Sequence, residues 1–231
     1  LVLGVPTVSV TFAVRFPSVK ARQPLPYAED WSALRSRLLQ HEERSDKYKG
    51  DLYSPVTYAE GTTRGNANVR LVHALVIDLD GEALETALPK LADLEWVAYT
   101  TYSHSDNDPH WHLVLPLASP VPADEWELVW THAHDRLGLV GDPACKDPAR
   151  IFFLPQHAPG SVWRTLYGEG HLLKPIQGIA RPRKNSPTVS KPVRMEPESW
   201  WQIEPDMSAY EGLSKNAQLD LLRQRLQNLA V

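Results

Sequence analysis

The sequence predicts an α/β (α+β) domain. Two observations carry that reading. Two apolar strands each place a pair of polar side chains on one face: Leu71 to Asp80, ending in Asp78 and Asp80, and His110 to Leu117, opening with His110 and His112. Between and after them lie helix-like stretches, the clearest being Ala123 to Leu137, with Trp126, Val129, Trp130, Ala133 and Leu137 at helical spacing. Strands alternating with helical segments fit a mixed domain better than a bundle or a sandwich.

Taken in order, Thr7 to Phe16 reads as a strand of β-branched and aromatic residues. Ala28 to Glu43 reads as a helix with Trp31, Leu34 and Leu38 on one face. Arg44 to Arg70 is polar and reads as a long functional loop or loose hairpin, carrying Lys47, Lys49, Arg64 and Arg70. After the Asp78/Asp80 strand, Glu82 to Leu94 reads as helix, interrupted by Pro89. Trp96 to Tyr102 is a strand, and Ser103 to Pro109 is a loop into the His110 strand. The turn Gly141 to Arg150 leads to a short strand, Ile151 to Leu154. Val162 to Tyr167 and His171 to Leu173 read as a closing hairpin around Gly168 and Gly170. From Arg181 to Arg194 there are five basic residues, three prolines and no acid, which reads as a linker. Ser214 then caps a short amphipathic helix. The domain expectation is a catalytic unit over 1–178, a linker over 179–213, and a helix over 214–231 that docks or opens a further domain.

The chain has 231 residues, 42% hydrophobic and 23% charged, within the range of soluble globular proteins. No apolar run is long enough to span a bilayer, and the start lacks the basic region of a signal peptide. The expectation is therefore no membrane partner and a cytoplasmic setting. The missing initiator Met is read as the mark of a fragment of a longer chain. A single cysteine, Cys145, excludes an internal disulfide and a multi-cysteine zinc ribbon. A net charge of -4 argues against bulk nucleic-acid binding but leaves room for a local basic groove.

Side chains on a strand alternate faces, so Asp78 and Asp80 share one face, as do His110 and His112. Paired carboxylates repel unless a cation lies between them, and Mg²⁺ or Mn²⁺ takes such ligands while keeping positions open for phosphates. The bland alternative is a strand-end turn at Gly81. Five of the nine histidines fall between positions 104 and 134, which favours a site over scattered surface imidazoles. Asp142 and Asp147 bracket a turn leading to Arg150, where a further carboxylate would complete a metal site and the guanidinium would clamp a triphosphate.

Ile77-Asp78-Leu79-Asp80, then Ser103 to His112, then Asp147-Pro-Ala-Arg150 before an apolar strand, together resemble the archaeo-eukaryotic primase superfamily, most closely its plasmid and phage primases and primase-polymerases. The resemblance covers roughly residues 45 to 156. The Ser103–His112 loop departs from the family's usual Gly-rich form. The resemblance implies an RRM-like core with a mixed or antiparallel sheet and helices on one face. It implies template-directed nucleotidyl transfer from NTPs or dNTPs on single-stranded DNA, with two divalent ions, Mg²⁺ or Mn²⁺, held by Asp78, Asp80 and Asp147, Asp142 competing for the third place. His112 would hold a phosphate of the nucleotide, with His110, Ser103 and Arg150 as helpers. Lys47, Lys49, Arg64 and Arg70 would meet nucleic acid, and a fused or separate replicative helicase is the implied protein partner.

Two other readings stand beside it. Pro109 to Leu115 also resembles the paired-histidine metal motif of HUH rolling-circle and mobilisation nucleases, for which Tyr167 or Tyr210 would be the nucleophile. A non-catalytic single-strand-binding replication initiator is the third.

Overall fold

The computed structural model describes residues 11–81, 84–139 and 141–175. Strand β1 (Ala13–Phe16) pairs antiparallel with β2 (Leu25–Ala28). Helix α1 (Trp31–Leu38) starts where the Asp30 carboxylate accepts the Ala33 N–H at 2.8 Å. Such a cap is worth about 1 kcal/mol and fixes the first turn. Leu34 and Leu38 form the buried stripe, with Trp31 half-buried beside them. The helix is shorter than the 28–43 expected, because Ala28 closes β2 and residues 42–43 are drawn into β3 (Glu42–Glu43).

Of the two expectations for residues 44–70, the long loop fails and the loose hairpin holds in part, since residues 56–58 pair antiparallel with the strand that begins at Val69. Residues 44–70 contain a 3-10 turn (Lys47–Lys49) and two strands, β4 (Leu52–Ser54) and β5 (Val56–Tyr58), with Leu52, Tyr53, Ser54 and Val56 buried. Three-residue strands on either side of Pro55 carry too little alternation to stand out from polar neighbours. Long-range pairing makes them, β4 with β1 and β5 with the next strand.

Strand β6 (Val69–Asp80) is the spine. The helix expected over 82–94 is replaced, where described, by two 3-10 turns, Leu84–Thr86 and Leu88–Lys90. Pro89 is the second residue of the second turn, where its missing N–H is harmless, whereas inside an α-helix it would break the ladder. Strands β7 (Trp96–Thr100) and β8 (His110–Pro122) follow, then helix α2 (Trp126–Leu137), whose five expected core residues are all buried. Gly138, at φ 57°, ends α2 in the left-handed conformation, and Lys90 Nζ donates to the Leu137 carbonyl at 2.6 Å.

The chain closes with β9 (Phe152–Phe153), β10 (Gln156–His157) and β11 (Thr165–Gly168). The expected hairpin between 162–167 and 171–173 does not form. Instead β11 pairs with β7, while His171 and Leu173 bridge to Leu94 and Leu117. A Cβ at Gly170 would lie 2.4 Å from the Asp93 carbonyl, so this segment is laid directly on the 93–94 backbone.

The architecture is α+β with largely antiparallel sheets. A five-stranded sheet has the order β11-β7-β8-β6-β5, and a four-stranded one has the order β2-β1-β4-β9. A small parallel pair joins β10 to β3. Helix α1 packs on β2 and β7, and α2 on β6 and β8. The linker expected at 179–213 and the helix expected at 214–231 lie outside the described residues. Among the described residues, no helix is long and apolar enough to cross a membrane.

Candidate active site

The antiparallel register of β6 and β8 sets Asp78 opposite His112 and Asp80 opposite His110. Directly opposed residues share a face, so the two sequence pairs become two cross-strand Asp–His pairs. Asp78 Oδ1 lies 3.3 Å from His112 Nε2, and Asp80 Oδ1 lies 2.6 Å from His110 Nδ1. The other His110 nitrogen reaches Asp108 at 3.0 Å, placing this imidazole between two carboxylates. Burial lowers the His110 pKa, but the hydrogen bonds and charges of Asp80 and Asp108 outweigh it, and the net shift is upward. For Asp78, burial works to raise the carboxyl. The hydrogen bond and charge of His112, with the charges of Arg150 and His110, overcome it and hold Asp78 below its ordinary range.

The row continues onto β7, where Tyr99 opposes His112. The buried Tyr99 hydroxyl lies 2.8 Å from His112 Nδ1 and donates to the Phe153 carbonyl at 2.9 Å. Held at Nδ1 by the tyrosine oxygen, the ring presents Nε2 to Asp78. The Phe152 ring meets the His112 ring edge-on at 5.4 Å. His112 is thus fixed from three sides at the junction of the two larger sheets.

Strand β5 pairs only with the first part of β6, which leaves the outer edge at Asp78 open. The 141–150 turn covers it: the Asp142 N–H donates to the Asp78 carbonyl at 2.9 Å. This brings Asp142 and Cys145 to Asp78, and one ligand atom from each lies within 4.8 Å of the others. Burial, with the nearby Asp78 charge, pushes the Cys145 thiol up to about 12, so it is protonated at neutral pH. Arg150 binds Asp142 at 3.0 Å. Asp147 is not part of this cluster. Its carboxylate accepts the Ala149 N–H at 3.0 Å, and it lines a separate groove of about 910 Å³ with Arg70 and Lys146. The reason is local: Pro143 to Lys146 forms a 3-10 turn capped by Asp142, so Asp142 stays at the β6 edge while Asp147 is carried past it. Of the two carboxylates the sequence left in competition, Asp142 is the one beside Asp78.

The site opens into a cleft of about 340 Å³ lined by Asp78, Asp80, His110, His112, Ser103, Lys47 and Arg150, with Tyr99, Tyr102, Phe152 and Phe153 as aromatic wall. Lys47 Nζ lies 3.3 Å from Ser103 Oγ across it. Lys49, Arg64 and Arg70 are not among its lining residues. Arg64 instead donates to the Val19 carbonyl and lies 5.8 Å from the centre of the Phe16 ring. Tyr167 sits on β11 beneath the Arg35 guanidinium and does not line the cleft, and Tyr210 lies outside the described residues.

Three contributors escaped the sequence reading. Tyr99 looked like one apolar strand residue among several. Cys145 had no partner at recognisable spacing. His104 is buried, accepts the His110 backbone N–H at 3.2 Å, and leaves its Nε2 without a hydrogen bond. Burial, followed by the charge of Arg164, lowers its pKa.

The cleft thus combines aromatic walls with the two acid–imidazole pairs, a lysine and an arginine. The sequence profile of the VapE N-terminal domain matches residues 56–183, more than half of the chain, and the chain belongs to that family. It is also similar to the AEP domain of the primase-polymerase of cyanophage S-2L, at 15% identity over 71% of this chain and 85% of that one, with a TM-score of 0.43. No curated protein sequence matches it.

Proposed function

We propose that this domain is a primase or primase-polymerase that catalyses template-directed nucleotidyl transfer from NTPs or dNTPs on single-stranded DNA. The observation that supports the reading is Asp78, which lines one cleft with Asp80, His112, Lys47 and Arg150 and has a carboxylate oxygen of Asp142 within 4.8 Å of its own. The donor set fits divalent cations: a half-buried carboxylate kept ionised, with a second carboxylate within 4.8 Å. We assign Asp78 and Asp142 as ligands of one ion and Asp80, which lines the same cleft as Asp78, as a further carboxylate ligand. Bound Mg²⁺ or Mn²⁺ would activate a 3′-hydroxyl and neutralise the leaving pyrophosphate.

The protein's own groups do the rest. His112, locked by Tyr99 and Phe152, points Nε2 at the cleft and would hand its hydrogen bond from Asp78 to a triphosphate oxygen. Arg150, whose guanidinium already engages a carboxylate, has the fork geometry to grip a phosphate. Lys47 and Ser103 stand across the mouth, where a ribose or a terminal phosphate would lie. A replicative helicase, fused or separate, is the protein partner we propose.

The test is synthesis on a single-stranded template with NTPs, dNTPs and Mg²⁺ or Mn²⁺, with and without a primer, beside Asp78→Ala/Asp80→Ala. New strands from the intact chain and none from the variant are expected. Template cleavage with a covalent protein–DNA adduct would replace the proposal with a paired-histidine nuclease. Binding unaffected by the variant, with no product, would leave a binding module.

A further inference from the structure

The rim of the cleft carries an aromatic side chain that the chemistry above does not use. Tyr48 is 67% exposed and sits between Lys47 and Lys49 on the 3-10 turn. The turn is firmly held. The Asp46 carboxylate accepts the Tyr48 N–H at 2.9 Å, and the buried Gln156 donates its amide to the Lys47 carbonyl at 2.9 Å. Gly50 seats against the same side chain, where a Cβ would fall 2.0 Å from Gln156 Oε1. The ring is therefore presented on a fixed backbone. It meets Phe153 edge-on, centroids 6.4 Å apart, and Phe153 lines the Asp78–His112 cleft.

We propose that Tyr48 is a stacking platform for an unpaired base of single-stranded nucleic acid, with Lys47 and Lys49 taking the flanking phosphates. Base–aromatic stacking combined with flanking cations is the general chemistry of sequence-tolerant single-strand binding. A polynucleotide fits this rim because both side chains flanking the ring are cationic, and the neighbouring acid, Asp46, is committed to its cap. The path leads along the Tyr48–Phe153 contact into the cleft, so the destination of the strand rests on the polymerase reading, whereas the binding chemistry does not.

The experiment measures binding of fluorescein-labelled oligothymidylate to the full chain by anisotropy, in EDTA and without nucleotides. Tyr48→Ala should weaken binding about tenfold or more, as loss of one stacked base does, while Tyr48→Phe stays within about twofold because the π face is kept. Lys47→Ala and Lys49→Ala should each flatten the salt dependence by about one ion, and Tyr48→Ala should leave its slope unchanged. Wild-type affinity in a Tyr48→Ala chain with an unaltered urea midpoint overturns the proposal. So does an equal loss toward blunt duplex DNA. A chain that binds through Tyr48 but makes no strand keeps the platform and removes the polymerase reading. A chain that makes strands while Tyr48→Ala binds normally removes the platform alone.

Discussion

Tyr99→Phe deletes one oxygen at the junction of the two larger sheets. Tyr99 is 1% exposed, and burial drives its hydroxyl well above the ordinary range, so it is a neutral O–H at any working pH. That O–H donates to the Phe153 carbonyl at 2.9 Å, and its oxygen meets His112 Nδ1 at 2.8 Å. Phenylalanine keeps the ring and its packing but orphans both partners. An unsatisfied buried group costs about 1–3 kcal/mol, so the loss should be about 2–4 kcal/mol. Tyr53→Phe is the internal control, since its hydroxyl meets Tyr99 only at 3.4 Å and should cost less than about 1 kcal/mol. Urea unfolding of the full chain measures both through the midpoint at constant slope. The same variant should weaken nucleotide binding, because His112 loses the contact that orients Nε2. A Tyr99→Phe loss below about 0.5 kcal/mol, or one equal to that of Tyr53→Phe, would refute the hydrogen-bond chain and with it the fixed orientation of His112.

Asp142→Asn should lower strand synthesis by about 100-fold or more, whereas Asp147→Asn should stay within about threefold; equal effects in primer-extension rates would remove Asp142 from the site. Gly141→Ala places a Cβ 2.5 Å from Ile77 Cγ2, so the turn carrying Asp142 must shift, with a stability loss of about 1–3 kcal/mol and weaker Mn²⁺ binding. His73 is buried, and desolvation lowers its pKa from 6.5 to about 4. The unfolded chain therefore takes up this proton first on acidification. Stability is intact above about pH 6.5 and falls by about 3 kcal/mol in total by about pH 4, a loss that His73→Gln should remove from the pH–stability curve. His110 has the opposite sign. Its raised pKa adds stability that is complete in acid and is lost as pH rises through the folded value, and Asp108→Asn should shrink that part of the curve.

The sequence made β6 and β8 legible because both are long and apolar and carry paired polar residues at one end. Alternation alone put Asp78 with Asp80 and His110 with His112 on common faces. It could not say that the two pairs would oppose each other, since register depends on Leu79 meeting Trp111 and Ile77 meeting Leu113 across the ladder. Strands β4 and β5 were hidden for a related reason: three residues each, they exist through pairing with β1, β9 and β6 rather than through local pattern. The stretch after Asp80 carried helical spacing that Pro89 outweighed. Which of Asp142 and Asp147 lies beside Asp78 depends on one hydrogen bond, from Asp142 N–H to the Asp78 carbonyl, at an edge left open because β5 is short. No spacing rule contains that fact.

The Asp–His pairs tie the site to the fold. A half-buried carboxylate needs a partner, and the neighbouring strand supplies an imidazole to Asp78, as it does to the exposed Asp80. A one-residue slip between β6 and β8 would break both pairs and carry the acids to the opposite face, so the polar pairs reinforce the register set by their apolar neighbours. On the proposed function, a phosphate oxygen would replace the carboxylate as the partner of each imidazole, and the acids would be freed to hold a cation, so that no buried polar group would be left alone. Asp78→Ala by itself should therefore leave His112 Nε2 unpaired and cost stability, whereas Asp78→Asn, which can still accept that hydrogen bond, should keep the fold and lose the ion. A urea midpoint for Asp78→Ala at or above that of Asp78→Asn would break this account of the pair.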